Sequence, residues 1–129
     1  MSEDGKALDR ETFLAAKKLP IERVELNPEL YGEGACVYVR SMTGQARSDY
    51  EKRWAKRKAS SDPGGFRWDL LRQTMCDENG AALLTEADQA AAMGQDAATI
   101  EDIFEAACVM NGLRERDVED LAGNSEAAP

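Results

Sequence analysis

The chain has 129 residues with 16 basic and 25 acidic side chains, which give a net charge of −9. Hydrophobic residues make up 43% of the sequence and aromatic residues only 6%, a composition typical of one helix-rich globular domain. There is no apolar run of about 18 residues and no apolar core near the start, so we expect neither a membrane span nor a signal peptide.

Histidine is absent from the sequence, and the three cysteines are far apart without a Cys-x-x-Cys pair. Histidine is the usual general base near neutral pH and a common zinc ligand, so its absence excludes histidine-dependent hydrolytic sites and Cys/His zinc sites. Each cysteine has apolar neighbours, which favours small buried side chains in a reducing compartment over reactive thiols. We expect no catalytic residue, no metal and no cofactor.

The first half of the sequence predicts one short helix followed by a pair of strands. Residues 10–18 have a weak apolar stripe, and Pro20 ends that helix. Residues 21–26 alternate between apolar and polar, and residues 35–42 are rich in β-branched and aromatic side chains, so both segments read as strands. The link between them is too short for a crossover helix, which predicts antiparallel pairing.

The second half predicts helices. Thr43 caps a helix over 44–58, in which Tyr50 and Trp54 form an apolar stripe that reads as core. A third helix over 66–76 ends at an Asn-Gly turn. A capping box over 85–88 opens a small helix that ends near residue 93, the strongest amphipathic helix covers 97–111, and Gly112 ends it.

These elements predict an α+β fold in which a small antiparallel sheet of two or three strands packs against four or five helices. We expect a disordered start over 1–8, one domain over 9–122 with a short acidic helix over 115–121, and a flexible tail over 123–129.

Charge is distributed unevenly along the chain. Residues 40–76 hold nine basic and four acidic side chains, whereas residues 77–129 hold two basic and thirteen acidic ones. One interpretation is that both segments are ordinary solvated faces. A second is that the basic helix over 44–58 binds nucleic acid by phosphate contacts and base stacking. A third interpretation is self-association or binding of an acidic partner through Lys52, Arg53 and Lys56. Within the binding interpretations, we favour a protein partner over nucleic acid.

Three blocks of sequence resemble a known family. The first is VYVRSMTG at 37–44, followed by Arg47, Asp49 and Glu51. The second is CDENG at 76–80 with LLTEAD at 83–88, and the third combines IFEAA at 103–107, MNGL at 110–113, DVEDL at 117–121 and Asn124. In this order they resemble the tail assembly chaperones of long-tailed phages, although the N-terminal helix has no counterpart.

The resemblance implies a non-enzymatic protein of the host cytoplasm that is not expected in the mature virion. It would bind the long helical tape measure protein, keep it soluble and help to recruit tail tube subunits, either as a monomer or as a homo-oligomer. Helix-binding grooves are apolar, so Leu83, Leu84 and Met93 are the residues that we expect to border the client site. The alternative function is a small nucleic-acid-binding or regulatory module that uses the basic helix.

Overall fold

The computed structural model describes residues 5–55 and 65–113, which contain six α-helices and one three-stranded sheet. This architecture confirms the predicted α+β class. In chain order the elements are α1 (Arg10–Leu14), β1 (Ile21–Glu25), α2 (Pro28–Tyr31), β2 (Cys36–Arg40), α3 (Gly44–Ala55), α4 (Gly65–Thr74), β3 (Met75–Cys76), a 3₁₀ turn (Glu86–Asp88), α5 (Gln89–Met93) and α6 (Ala97–Met110).

The sheet has the strand order β1-β2-β3 and is antiparallel throughout. β1 pairs with β2 from Ile21 opposite Arg40 to Glu25 opposite Cys36, which confirms the predicted strand pair. β3 adds a short third strand, in which Met75 lies opposite Val39. Because side chains alternate between the faces of a strand, Val37 and Val39 point to the same side, and that side forms part of the core.

Helices cover this apolar face of the sheet. α6 packs on β1 and β2, and α4 packs on α6, as the amphipathic patterns predict. Phe66 connects the layers through edge-to-face contacts, with ring centroids 6.3 Å from Trp54 and 6.1 Å from Phe104. Tyr50 is fully buried and its hydroxyl donates to the Phe66 carbonyl oxygen over 3.0 Å. Burial, and next the charge of Asp69, raises the pKa of the Tyr50 phenol.

Helix ends follow the local signals in the sequence. At the end of α6, Gly112 has φ of 69°, and the Leu113 amide donates to the Cys108 carbonyl over 2.8 Å. Together with the burial of Leu113, this geometry is a Schellman motif. The Thr43 hydroxyl accepts the Ala46 amide at the start of α3, and Thr85 and Asp88 form the predicted capping box.

Asn111 joins two of the blocks that carry the family resemblance. Its Oδ1 accepts the Met42 amide over 2.6 Å, its Nδ2 donates to the Ala107 carbonyl over 2.9 Å, and its own carbonyl accepts Arg47 Nη1 over 2.8 Å. Arg40 of the first block donates to the Gly80 carbonyl of the second over 2.8 Å. These motif residues therefore hold the sheet, the β3 turn and the end of α6 together.

Several boundaries differ from those predicted from the sequence. α1 ends at Leu14, four residues before the predicted end. The link between the two predicted strands contains α2 at 28–31, because Asn27 caps a helical turn that begins with a proline. Met75 and Cys76 leave the predicted helix over 66–76 to pair with β2. The predicted end of the basic helix, the acidic helix over 115–121 and the tail over 123–129 lie outside the described residues.

Candidate functional site

An apolar groove of about 450 Å³ lies between the sheet and the α5–α6 region. The end of β1, the start of β2, the C-terminal part of α4 and β3 form one side, and α5 with the N-terminal half of α6 forms the other. Its apolar lining residues are Leu26, Val37, Leu71, Met75, Leu83, Leu84, Ala91, Ala92, Ile100 and Ile103. We call this feature the apolar groove.

The groove exists because local and non-local contacts combine at this point. The β3 turn places residues 81–84 beside the sheet, where the Leu83 amide donates to the Met75 carbonyl over 3.1 Å. Asp77 holds that turn with its Oδ1, which accepts the amides of Ala81 and Asn79, and these backbone hydrogen bonds lower the pKa of the Asp77 carboxyl. The chain then returns through α5, whose Ala91 and Ala92 line the groove.

The polar groups of the groove have partners within the chain. Tyr31 Oη donates to Gln95 Oε1 over 2.8 Å, which connects α2 to the loop before α6. Thr99 donates its amide to Asp96 Oδ2 over 3.1 Å. A small-molecule site usually adds a few convergent polar groups to its apolar wall. Because these polar groups already have hydrogen-bond partners within the chain, the groove is better suited to apolar side chains than to a polar ligand.

The part of the chain that forms the α5 and α6 side of the groove is acidic in sequence. Residues 73–113 contain eight carboxylates and no lysine or arginine. Asp88 lines the groove itself, while Glu101 is bound to Arg67, whose Nη1 lies 2.6 Å from Glu101 Oε1. This distribution favours an occupant that is apolar on one side and basic at its edges.

Two of the three predicted client residues, Leu83 and Leu84, line the groove. Leu83 is 45% exposed and Leu84 is half-buried against the core. Met93, at the end of α5, is half-buried against the core and is not among the lining residues. The sequence reasoning did not identify the contributions of Leu26, Val37 or Ile100, because they depend on how the sheet and α6 meet.

The predicted basic surface is partly used inside the chain. Lys52 is exposed, but Arg53 Nε lies 2.8 Å from Asp69 Oδ2, and Lys56 lies outside the described residues. Tyr50 and Trp54 are buried, as predicted for a core stripe, so these two rings are not available for stacking on bases.

Asp69 is the centre of a side-chain network with four donors. Its carboxylate is 7% exposed and accepts from Arg53 and Trp54 through Oδ2, and from Arg72 and Gln73 through Oδ1. A second cavity of about 280 Å³ borders this network. The ion pair between Arg53 and Asp69 links α3 to α4, which gives Asp69 a structural role.

Within residues 5–55 and 65–113, no three cysteine or acidic side chains are grouped so that they could hold a metal ion. Cys36, Cys76 and Cys108 form no disulfide within these ranges, and burial raises the pKa of the Cys76 thiol. Cys76 and Cys108 are buried as predicted, whereas Cys36 is half-buried. No helix in these two ranges has the length and hydropathy that a membrane crossing needs.

Comparison with protein-family models, with curated proteins and with solved structures finds no match for this chain. The function is therefore inferred from the groove and from the sequence blocks.

Proposed function

We propose that the chain is a tail assembly chaperone of the kind found in long-tailed phages. It binds apolar helical segments of the tape measure protein, keeps that protein soluble and helps to recruit tail tube subunits, without catalysing a reaction. The observation that supports this proposal is the open apolar groove, which has one carboxylate, Asp88, among its lining residues. Its polar residues bond within the chain, so it offers apolar contact without a polar anchor.

A groove of this kind matches the chemistry of an aggregation-prone helix. A helix that binds in a groove inserts side chains spaced three and four residues apart, and each inserted side chain leaves water. The net charge of −9 adds solubility to the complex, because like-charged complexes repel one another.

The test is co-expression of the tape measure protein with variants of this chain. Leu83→Ser with Leu84→Ser removes two apolar side chains of the groove. Full burial of one leucine is worth about 1.5–3 kcal/mol, and both residues are already partly covered in the free protein. We therefore expect the pair to weaken client binding by about 10- to 30-fold and to return the client to the insoluble fraction.

The matched control is Val109→Ser on α6, where an equally apolar side chain is 70% exposed and does not line the groove. This variant should keep the client soluble. Circular dichroism melts establish that both variants fold. A folded Leu83/Leu84 variant that still solubilises the client would show that the groove is not the client site.

A further inference from the structure

The N-terminal arm, residues 5–18, is exposed along its whole length. None of the residues of α1 is buried, and the arm presents three large apolar side chains to solvent, Leu8 at 47%, Phe13 at 67% and Leu14 at 58% exposure. Exposed large apolar side chains that recur within one short segment are typical of a segment that binds a partner.

The arm is organised by its own hydrogen bonds. Asp9 caps α1 by accepting the Thr12 amide over 2.8 Å, which lowers the pKa of the Asp9 carboxyl. Lys17 Nζ donates to the carbonyl oxygens of Thr12, Phe13 and Ala15 at the other end. A helix of five residues is marginal in water without packing against other structure. Burial of its apolar side chains would stabilise it.

The arm and the apolar groove are complementary in charge as well as in polarity. Residues 5–18 contain four basic and two acidic side chains. In residues 73–113, which include the α5 and α6 side of the groove, every charged side chain is a carboxylate. Asp88 lies within the groove, and Glu86 and Asp96 are exposed on either side of α5. A short apolar helix with basic neighbours is the kind of occupant that this groove favours.

We propose that the N-terminal arm of a second copy of this chain binds the apolar groove, with Phe13 and Leu14 inserted beside Leu83 and Leu84. Each copy presents one exposed arm and one open groove, so exchange between copies covers both surfaces. The arm then competes with the client for one site, and self-association protects the groove before the client is made. This contact between copies goes beyond the proposed function, because it depends on the groove and does not depend on the tape measure protein.

The experiment uses two variants of the full chain that each lose one half of the contact. The arm variant carries Phe13→Ser and Leu14→Ser and keeps its groove, and the groove variant carries Leu83→Ser and Leu84→Ser and keeps its arm. Analytical ultracentrifugation should show that the wild-type chain associates as its concentration rises, and that either variant alone associates at least about tenfold more weakly. An equimolar mixture of the two variants should form a complex.

A labelled peptide of residues 5–19 gives an independent readout. It should bind the arm variant and not the groove variant, and its affinity should fall as salt screens the charges. Leu83→Glu, at an exposed position that tolerates charge, should give the same loss of binding if the double groove variant is unstable. Val109→Ser and Lys52→Glu serve as controls outside the arm and the groove.

Three results would overturn the proposal. A wild-type chain that stays monomeric at all concentrations would exclude contact between copies. An arm that folds onto the groove of its own chain would give this result and would also contradict the proposal. Association that persists in the arm variant, or that is lost in Lys52→Glu, would assign it to another surface. These outcomes are separate from the client test, because each is measured without the tape measure protein.

Discussion

Replacing Asp69 with alanine should destabilise the protein more than most single substitutions, because Asp69 is a buried carboxylate with four donors. Arg53 and Trp54 share its Oδ2 at 2.8 and 2.9 Å, and Arg72 and Gln73 contact its Oδ1 at 3.3 Å. Removal of the carboxylate would leave the Trp54 indole N–H and the Arg53 guanidinium without this acceptor in the interior.

The size of the effect follows from burial. Removing one partner of a buried ion pair typically costs about 3–5 kcal/mol. The side chains of Arg53 and Arg72 are 37% and 30% exposed, so water compensates in part for their lost partner. Arg53 donates to Asp69 through its Nε. Its Nη2 has no hydrogen-bond partner in the described part of the chain. We therefore expect a loss of about 3 kcal/mol, near the lower end of the range.

Urea denaturation followed by circular dichroism at 222 nm measures this loss. For a domain of this size, about 3 kcal/mol corresponds to a melting temperature about 10–15 °C lower. Asp69→Asn retains the volume and one acceptor oxygen, so its cost should be smaller. Glu105→Ala, at an exposed position of α6, should change stability by less than about 0.5 kcal/mol. A loss below about 1 kcal/mol for Asp69→Ala would show that the Asp69 network does not stabilise the fold to the expected extent.

Two further predictions concern single polar residues. Asn111→Ala leaves the half-buried Met42 amide without its acceptor and should cost about 1–3 kcal/mol in the same urea assay; an unchanged midpoint would contradict this role. Asp77→Asn keeps the turn but removes the charge that the backbone amides stabilise. Because the folded-state pKa of Asp77 is lowered, the wild-type advantage should be complete well above pH 3.8 and shrink as pH falls through that lowered pKa. A melting-temperature difference independent of pH would contradict this assignment.

The sequence predicts the elements whose signals are local. The strand pair over 21–26 and 35–42, the Thr43 cap, the capping box at Thr85 and the end of α6 at Gly112 each depend on residues that are near each other in the chain. In these segments propensity, capping and turn chemistry agree, so the prediction from sequence and the structure agree as well.

Features that depend on distant contacts could not be predicted in the same way. Met75 and Cys76 continue the apolar pattern of α4, and only pairing with β2 makes them a strand. In the sequence Asp69 lies between two apolar residues, Trp68 and Leu70, and an acidic residue within such a run is a signal for a buried carboxylate that the sequence does offer. Leu83 and Leu84 were identified as candidate client residues, but the rest of the groove requires the packing of α6 on the sheet.

Site-specific photo-crosslinking during co-expression with the tape measure protein tests directly whether the apolar groove binds this client. A photoreactive amino acid replaces Leu83 in the groove or Val109, which is exposed and outside it. If the groove binds the client, position 83 should crosslink to an apolar helical segment of the tape measure protein and position 109 should not. No crosslink from position 83, or an equally strong one from position 109, would contradict it.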